Sequence, residues 1–217
     1  LVDSYPKSQL APTALIQVGS LWTMMRDAAK AEATLSRLLK EYPDSTEARS
    51  ALPLIADNLM KLGMREEAVP RYRQMFAETG GKYSDLDLLR AAQVLTTAKE
   101  YDLAQQGLDR VLARAREPAI LAPARLAQGN LLLARGQYTA AVEALKAFIE
   151  DFAGYALMVD ANELLCRAAS EAGMREEDDL KRKLLFNDAV DAIKQVQQRR
   201  TNQIEVAQSD IEVGRLM

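Results

Sequence analysis

Acid–base and metal chemistry at neutral pH most often falls to histidine, and this chain has none. That removes histidine general acid–base catalysis, the Ser-His and Cys-His nucleophile pairs, and the commonest zinc and iron ligand. A single cysteine, Cys166, cannot form an internal disulfide and so identifies no compartment. It stands at a small-residue position between two helical patterns and reads as an inert packing residue, because reactive thiols need an electropositive, accessible setting. The acidic run Glu176-Glu177-Asp178-Asp179 lacks the alternating oxygen ligands and the Gly of a calcium loop. At the start of a helix its charges favour the positive end of the dipole, which is reason enough for them. No P-loop, dinucleotide glycine fingerprint or Gly-x-Ser-x-Gly elbow occurs. No catalytic, cofactor-binding or metal-ligating residue is therefore assigned, and the chain is read as non-enzymatic.

The elements that would position any remaining site are helices. Ala, Leu, Glu, Arg, Lys and Gln dominate the 217 residues, against only 7 Pro and 10 Gly. The clearest stretch is Ala127–Phe152. Leu131, Leu132 and Leu133 close one helix, and Ala134-Arg135-Gly136-Gln137 makes a tight turn. Tyr138, Ala141, Val142, Leu145, Phe148 and Ile149 then define one apolar helical face. A helix pair this short needs neighbours like itself to bury that face. Turns in the same register fall at Arg26, Gly63, Lys99, Gly136 and Gly173, every 36 or 37 residues. The pentapeptide Gly63-Met64-Arg65-Glu66-Glu67 returns unchanged at Gly173–Glu177.

The columns repeat in phase. A small residue follows each turn at Ala31, Ala68, Ala104 and Ala141, and Asp178 breaks the series. Leu35, Tyr72, Leu108, Leu145 and Arg182 come next, then Leu39, Phe76, Leu112, Ile149 and Phe186. In the first helices, Gly19, Ala56, Ala92, Gly129 and Cys166 form a small-residue column, with Trp22, Leu59, Leu95, Leu132 and Ala169 three residues on. Small residues facing large ones let paired helices pack without voids. The spacing predicts helices over 12–25, 28–41, 48–62, 65–78, 85–98, 101–115, 122–135, 138–151, 157–172 and 175–187. Pro43 ends one helix and Asp44-Ser45-Thr46 caps the next, while Gly80-Gly81 and Gly154 punctuate later boundaries. Pro70 lies slightly deep in its helix and predicts a kink or a later start. Trp22 reads as core.

Tyr5-Pro6 precedes Tyr42-Pro43 by one period, so residues 1–11 read as the end of an upstream repeat and the chain as a fragment of a longer protein. The array occupies 12–187. Residues 188–217 form a helical extension, read as a cap on the last repeat in preference to a coiled-coil arm. Its thin stripe of Ile204, Ala207 and Ile211 shows fewer than two clean heptads. The net charge is −3 with both signs interspersed. Lys181-Arg182-Lys183 and Arg199-Arg200 read as solvated helix faces, so no nucleic-acid partner is assigned. No apolar run reaches the roughly 20 residues of a membrane span.

At these columns the chain resembles a tetratricopeptide repeat protein. Gly129, Leu132, Gly136, Tyr138, Ala141, Leu145 and Phe148 carry the match in one repeat. Gly19, Trp22, Ala31, Leu35 and Pro43 carry it in the first, and Tyr101 and Ala104 in the third. The resemblance implies an all-α, right-handed solenoid of about five helix-turn-helix repeats with a long C-terminal capping helix. The long period, and Lys40–Ala48 with its Tyr42-Pro43, resemble a bacterial envelope subgroup. That subgroup includes the assembly lipoprotein of the outer-membrane barrel machinery and the periplasmic TolA-binding protein, and it implies a periplasmic or cell-envelope location, with cytoplasmic as the alternative.

In such a fold the first helices line the inner curve. One inner column reads Ser20, Asp57, Gln93, Asn130 and Arg167. Ile16, Pro53, Leu89, Leu126 and Glu163 stand four residues earlier, and Thr23, Met60, Thr96, Leu133 and Ser170 three later. This mixture suits a peptide or amphipathic helix laid along apolar anchors. The candidate partner-binding residues are Met60, Leu89, Gln93, Leu126, Asn130 and Leu133. The expected function is a protein-interaction scaffold. The alternatives are a protomer that self-associates through its array ends, and a regulatory domain of a larger enzyme whose catalytic part lies upstream.

Overall fold

The computed structural model describes residues 2–77 and 83–216, with side chains up to Asn202 but not that of Ala77. Every regular element among the described residues is a helix, and the chain divides into two compact units, Leu1–Arg114 and Ala115–Met217. The first unit holds α1 (Ala11–Met24), α2 (Ala28–Glu41), α3 (Thr46–Lys61), α4 (Arg65–Ala77), α5 (Asp85–Thr97) and α6 (Tyr101–Arg114). The second holds α7 (Pro118–Ala134), α8 (Tyr138–Asp151), α9 (Met158–Arg175) and α10 (Asp179–Leu216). Within each unit successive helices pair, and the first helix of a pair also packs on the pair before it.

Four turns share one geometry. Arg26, Gly63, Lys99 and Gly136 all adopt positive φ, between 61° and 80°. In each, the next N–H reaches back to the carbonyl five residues earlier: Asp27 to Trp22 at 3.0 Å, and Met64 to Leu59, Glu100 to Leu95 and Gln137 to Leu132 at 2.9 Å each. This is the Schellman closure, which satisfies helix-terminal carbonyls that would otherwise be orphaned. Gly63 and Gly136 adopt the conformation without strain, whereas at Arg26 and Lys99 it costs about 1 kcal/mol.

The small-to-large columns pack as their spacing predicts. A Cβ on Gly19 would lie 2.6 Å from Leu35, and one on Gly129 2.6 Å from Leu145. Leu35, Leu108 and Leu145 are wholly buried, as are Ala68, Ala104 and Ala141. Each such leucine contributes about 2 kcal/mol by leaving water. Ser45 caps α3 by accepting from the Ala48 N–H at 3.1 Å, and Asp27 caps α2 by accepting from Lys30 at 3.1 Å. Ser84 and Asp87 form a reciprocal capping box on α5. The turn Tyr5–Ser8 repeats the turn Tyr42–Ser45: Ser8 N–H donates to Tyr5 O at 3.0 Å, and Ser45 N–H to Tyr42 O at 3.1 Å.

Several local expectations change. α7 starts at Pro118 rather than at 122, because proline suits the first helical position, where its missing N–H is not needed. α4 begins at Arg65 and runs through Pro70, so the later start is not observed. Trp22 is half-buried rather than core, with the Lys30 ammonium 4.5 Å from its ring centre. The fifth turn is absent at Gly173. There α9 continues to Arg175, and Phe186 presses so close that a Cβ would meet it at 2.9 Å. The hairpin is reset instead at Asp178, whose carboxylate accepts from the N–H groups of Leu180 and Lys181 at 2.9 Å each and caps α10. Those backbone donors, that of Lys181 foremost, hold the Asp178 carboxyl below its usual pKa. This explains why Asp178 and Arg182 break their columns: the last pair is shifted by about one helical turn.

α10 is continuous from Asp179 to Leu216. Ala189, Ala192 and Val196 bury one face of it, and Lys146 reaches Asp188 at 2.6 Å. Arg200 pairs with Glu163 on α9. The helix therefore caps the second unit through Arg200. The Gly80-Gly81 boundary and the side chains of Ile204, Ala207 and Ile211 lie outside the described residues.

Candidate functional site

Each unit has a hollow built on the inner column. In the first unit, α3, α4 and α5 surround a cavity of about 290 Å³ lined by Asp57, Met60, Lys61, Tyr72, Arg90, Gln93 and Val94. Two of its charges, Asp57 and Arg90, satisfy one another. The Asp57 carboxylate accepts from the Tyr72 hydroxyl at 2.5 Å and from Arg90 Nη1 at 2.7 Å. Tyr72 is 2% exposed, and its burial, followed by the bond to Asp57, pushes the hydroxyl far above the ordinary tyrosine pKa. It stays a neutral donor and fixes Asp57. Met60 is half-buried and Gln93 exposed at the rim.

In the second unit, α7, the start of α8, and α9 surround a cavity of about 460 Å³. Asn130 and Arg167 enter it from positions one repeat apart in the same column. Leu133 and Cys166 supply an apolar wall, with Tyr138, Ser170 and Glu171 beside them. Arg175 holds two of the lining residues, Tyr138 and Glu171. Its guanidinium lies 4.4 Å from the Tyr138 ring centre, while Nη1 donates to the Glu171 carboxylate at 2.5 Å and to the Glu171 carbonyl at 2.8 Å. Arg167 and Asn130 have no hydrogen-bond or ion-pair partner among the described residues. An unpaired guanidinium and amide over an apolar wall can donate to the carbonyl and carboxylate groups of a peptide, and the amide oxygen can accept from its N–H groups.

The structure thus divides the six candidates between the hollows. Met60 and Gln93 line the first, and Asn130 and Leu133 the second. Leu89 lines neither hollow and is 3% exposed, so as an anchor it offers little surface: it packs inward. Leu133 is 7% exposed and shows only an edge. Leu126 is half-buried between the two core clusters of the second unit. Sequence reasoning placed Arg167 in the inner column but did not select it. Its charge amid otherwise mostly uncharged column neighbours was the available signal. Nothing in the spacing marked Arg175, because its place depends on α9 running past Gly173.

A family model described as the tetratricopeptide repeat matches residues 13–45 and 124–154. These stretches contain most of α1, all of α2 and α8, and much of α7. Among similar solved structures is a tetratricopeptide repeat protein from Parabacteroides merdae ATCC 43184, with 15% identity, TM-score 0.58, and coverage of 88% of this chain and 82% of that one. YrrB, described as a TPR protein with an unusual peptide-binding site, has 17% identity and TM-score 0.61, covering 88% and 91%. MamA has 20% identity and TM-score 0.59, covering 91% and 96%. At these identities the likeness is one of fold. No curated protein matches the sequence. The repeated Schellman turns, the small-to-large columns, the matched stretches and the solved structures agree: residues 13–45 and 124–154 carry tetratricopeptide repeats, and the chain has a helical-repeat fold like that of tetratricopeptide repeat proteins.

Proposed function

We propose that the chain is a non-catalytic scaffold that binds a peptide or helical segment of another protein, chiefly in the hollow between α7 and α9. Repeats of this fold serve in general as interaction scaffolds, and a solved structure of the same fold is described as having an unusual peptide-binding site. The observation that carries the reading is the unpaired Arg167 beside Asn130 in an open cavity with an apolar wall. A guanidinium left without a carboxylate in its own fold is a donor available to a ligand. The first hollow gives Met60 and Gln93 as a secondary surface, because Asp57 and Arg90 already neutralise each other there. No described helix is long and apolar enough to cross a membrane.

Selection of peptides from a random display library on the intact chain tests this. Peptides that bind the parent should lose at least tenfold in affinity, about 1.4 kcal/mol, on Arg167→Glu or Asn130→Ala, with helicity unchanged by circular dichroism. Selected peptides that bind both variants as well as the parent would move the site elsewhere.

A further inference from the structure

Arg167, Glu171 and Arg175 stand four residues apart along one face of α9. Side chains at i and i+4 are neighbours on a helix, so the two arginines compete for one carboxylate. Arg175 holds it: its Nη1 donates to the Glu171 carboxylate at 2.5 Å and to the Glu171 carbonyl at 2.8 Å. Arg167 is exposed and has no ion-pair partner among the described residues.

Three physical reasons favour Arg175. An acid placed four residues before a base suits a helix better than the reverse order. Arg175 lies in the last turn of α9, where a cation meets the negative end of the dipole. Its guanidinium also rests 4.4 Å from the Tyr138 ring centre, which fixes its direction. All three depend on α9 running past Gly173, since a turn there would take Arg175 off the helix.

The competition leaves donors that nothing in the fold receives. The Asn130 amide and the Ser170 hydroxyl are half-buried, line the same cavity as Arg167, and have no hydrogen-bond partner among the described residues. Ser170 departs here from its own column. The hydroxyls of Thr23 and Thr96 donate back to the carbonyls of Gly19 and Ala92 at 2.9 and 2.8 Å. Arg167, Glu171 and Arg175 together carry one net positive charge, so a single carboxylate neutralises the set. A second would face the Glu171 carboxylate, which lines the cavity.

We infer that Arg175 is a positioning residue. By holding Glu171 it keeps Arg167 free to bind one Asp or Glu side chain of the partner segment. The Asn130 amide and the Ser170 hydroxyl are further donors to that segment, and an apolar residue beside the acid meets the wall of Leu133 and Ala134. This rests on the peptide-binding reading above, and adds to it the partner's chemistry and a residue outside the cavity lining.

Peptides selected from a random display library on the intact chain test it. They are made with acetylated N-termini and amidated C-termini and titrated by fluorescence anisotropy. The expected peptides carry a single Asp or Glu near an apolar residue. Replacing that acid by Asn or Gln should weaken binding about tenfold on the parent and leave it unchanged on Arg167→Ala. Arg175→Ala releases Glu171 to Arg167 and should weaken the same peptides about fivefold. Adding Glu171→Gln to Arg175→Ala should restore binding, although the double variant lacks the same arginine; a merely structural role would give no such rescue. Four results overturn the inference: peptides without an acid, peptides that bind only with a free C-terminal carboxylate, an Arg175→Ala variant that binds like the parent, or a loss that Glu171→Gln does not repair. Each leaves the hollow as the peptide site as long as Arg167→Glu and Asn130→Ala still weaken binding. Peptides indifferent to Arg167→Glu and Asn130→Ala, or a library that yields no binder, overturn the peptide-binding reading and this inference with it.

Discussion

Gly63–Glu67 and Gly173–Glu177 are the same five residues in two different structures. At the first copy, Gly63 takes φ +80° with open space around it, the chain reverses, and Arg65 begins α4. At the second, Gly173 is inside α9 with Phe186 against it, and Arg175 ends the helix. Glycine is needed in both, for opposite reasons: backbone freedom in one and lack of a side chain in the other. The consequence reaches the hollows. Arg65 turns away to Thr97. Arg175, carried on by an extra turn of helix, stacks on Tyr138, which lines the cavity that Arg167 occupies.

The largest expected effect separates the two glycines. Gly173→Leu forces a side chain into Phe186 and should destabilise the second unit by about 3 kcal/mol. Gly63→Leu meets nothing and should cost only the left-handed backbone term, about 1–2 kcal/mol. Urea unfolding of both variants checks this, and equal losses would break the contrast. Next comes the pairing of the arginines. Arg167→Ala should weaken a selected peptide about tenfold, or about 1.4 kcal/mol, without changing the midpoint of unfolding. Arg90→Ala, which leaves Asp57 with the Tyr72 hydroxyl alone, should do the reverse and lower stability by about 1 kcal/mol. Peptide titration and melting curves on the two variants decide it.

A smaller effect concerns Tyr72. Its pKa is raised in the folded chain, so the unfolded chain releases this proton first as pH rises. Stability from this group is complete below the ordinary tyrosine value of about 10 and falls as pH climbs above it. Tyr72→Phe should cost about 1 kcal/mol at neutral pH, from the lost bond to Asp57. It should also flatten the alkaline decline, as denaturant unfolding between neutral and alkaline pH would show. The smallest change has the opposite sign. Lys99 holds φ 65° where Gly63 and Gly136 serve elsewhere, so Lys99→Gly should gain up to about 1 kcal/mol. A lower melting temperature would show that the Lys99 side chain contributes more than its backbone costs.

Most of the helical order was readable from the residues. All ten helices among the described residues begin within about four residues of their expected starts, α7 and α10 at the limit, and four turns fall on the expected residues, because period and apolar spacing are local properties that one helix pair enforces on the next. The inner column was also legible as a column, and it placed Asn130 and Gln93 at the hollows. It overstated Leu89, because one helical position can face the core in one repeat and the rim in another as small changes in packing rotate it. Arg175 was not legible, and neither was the quenching of Asp57 by Arg90 and Tyr72, since each depends on residues brought together from separate helices.

The sequence by itself determined the repeat, its period, and the alternation of small and large residues that makes paired helices fit. Only the tertiary structure decided that Gly173 continues a helix where the identical Gly63 ends one. A turn is selected by the free energy of everything around it, and the ring of Phe186, on the next helix, outweighs a local preference worth about 1 kcal/mol.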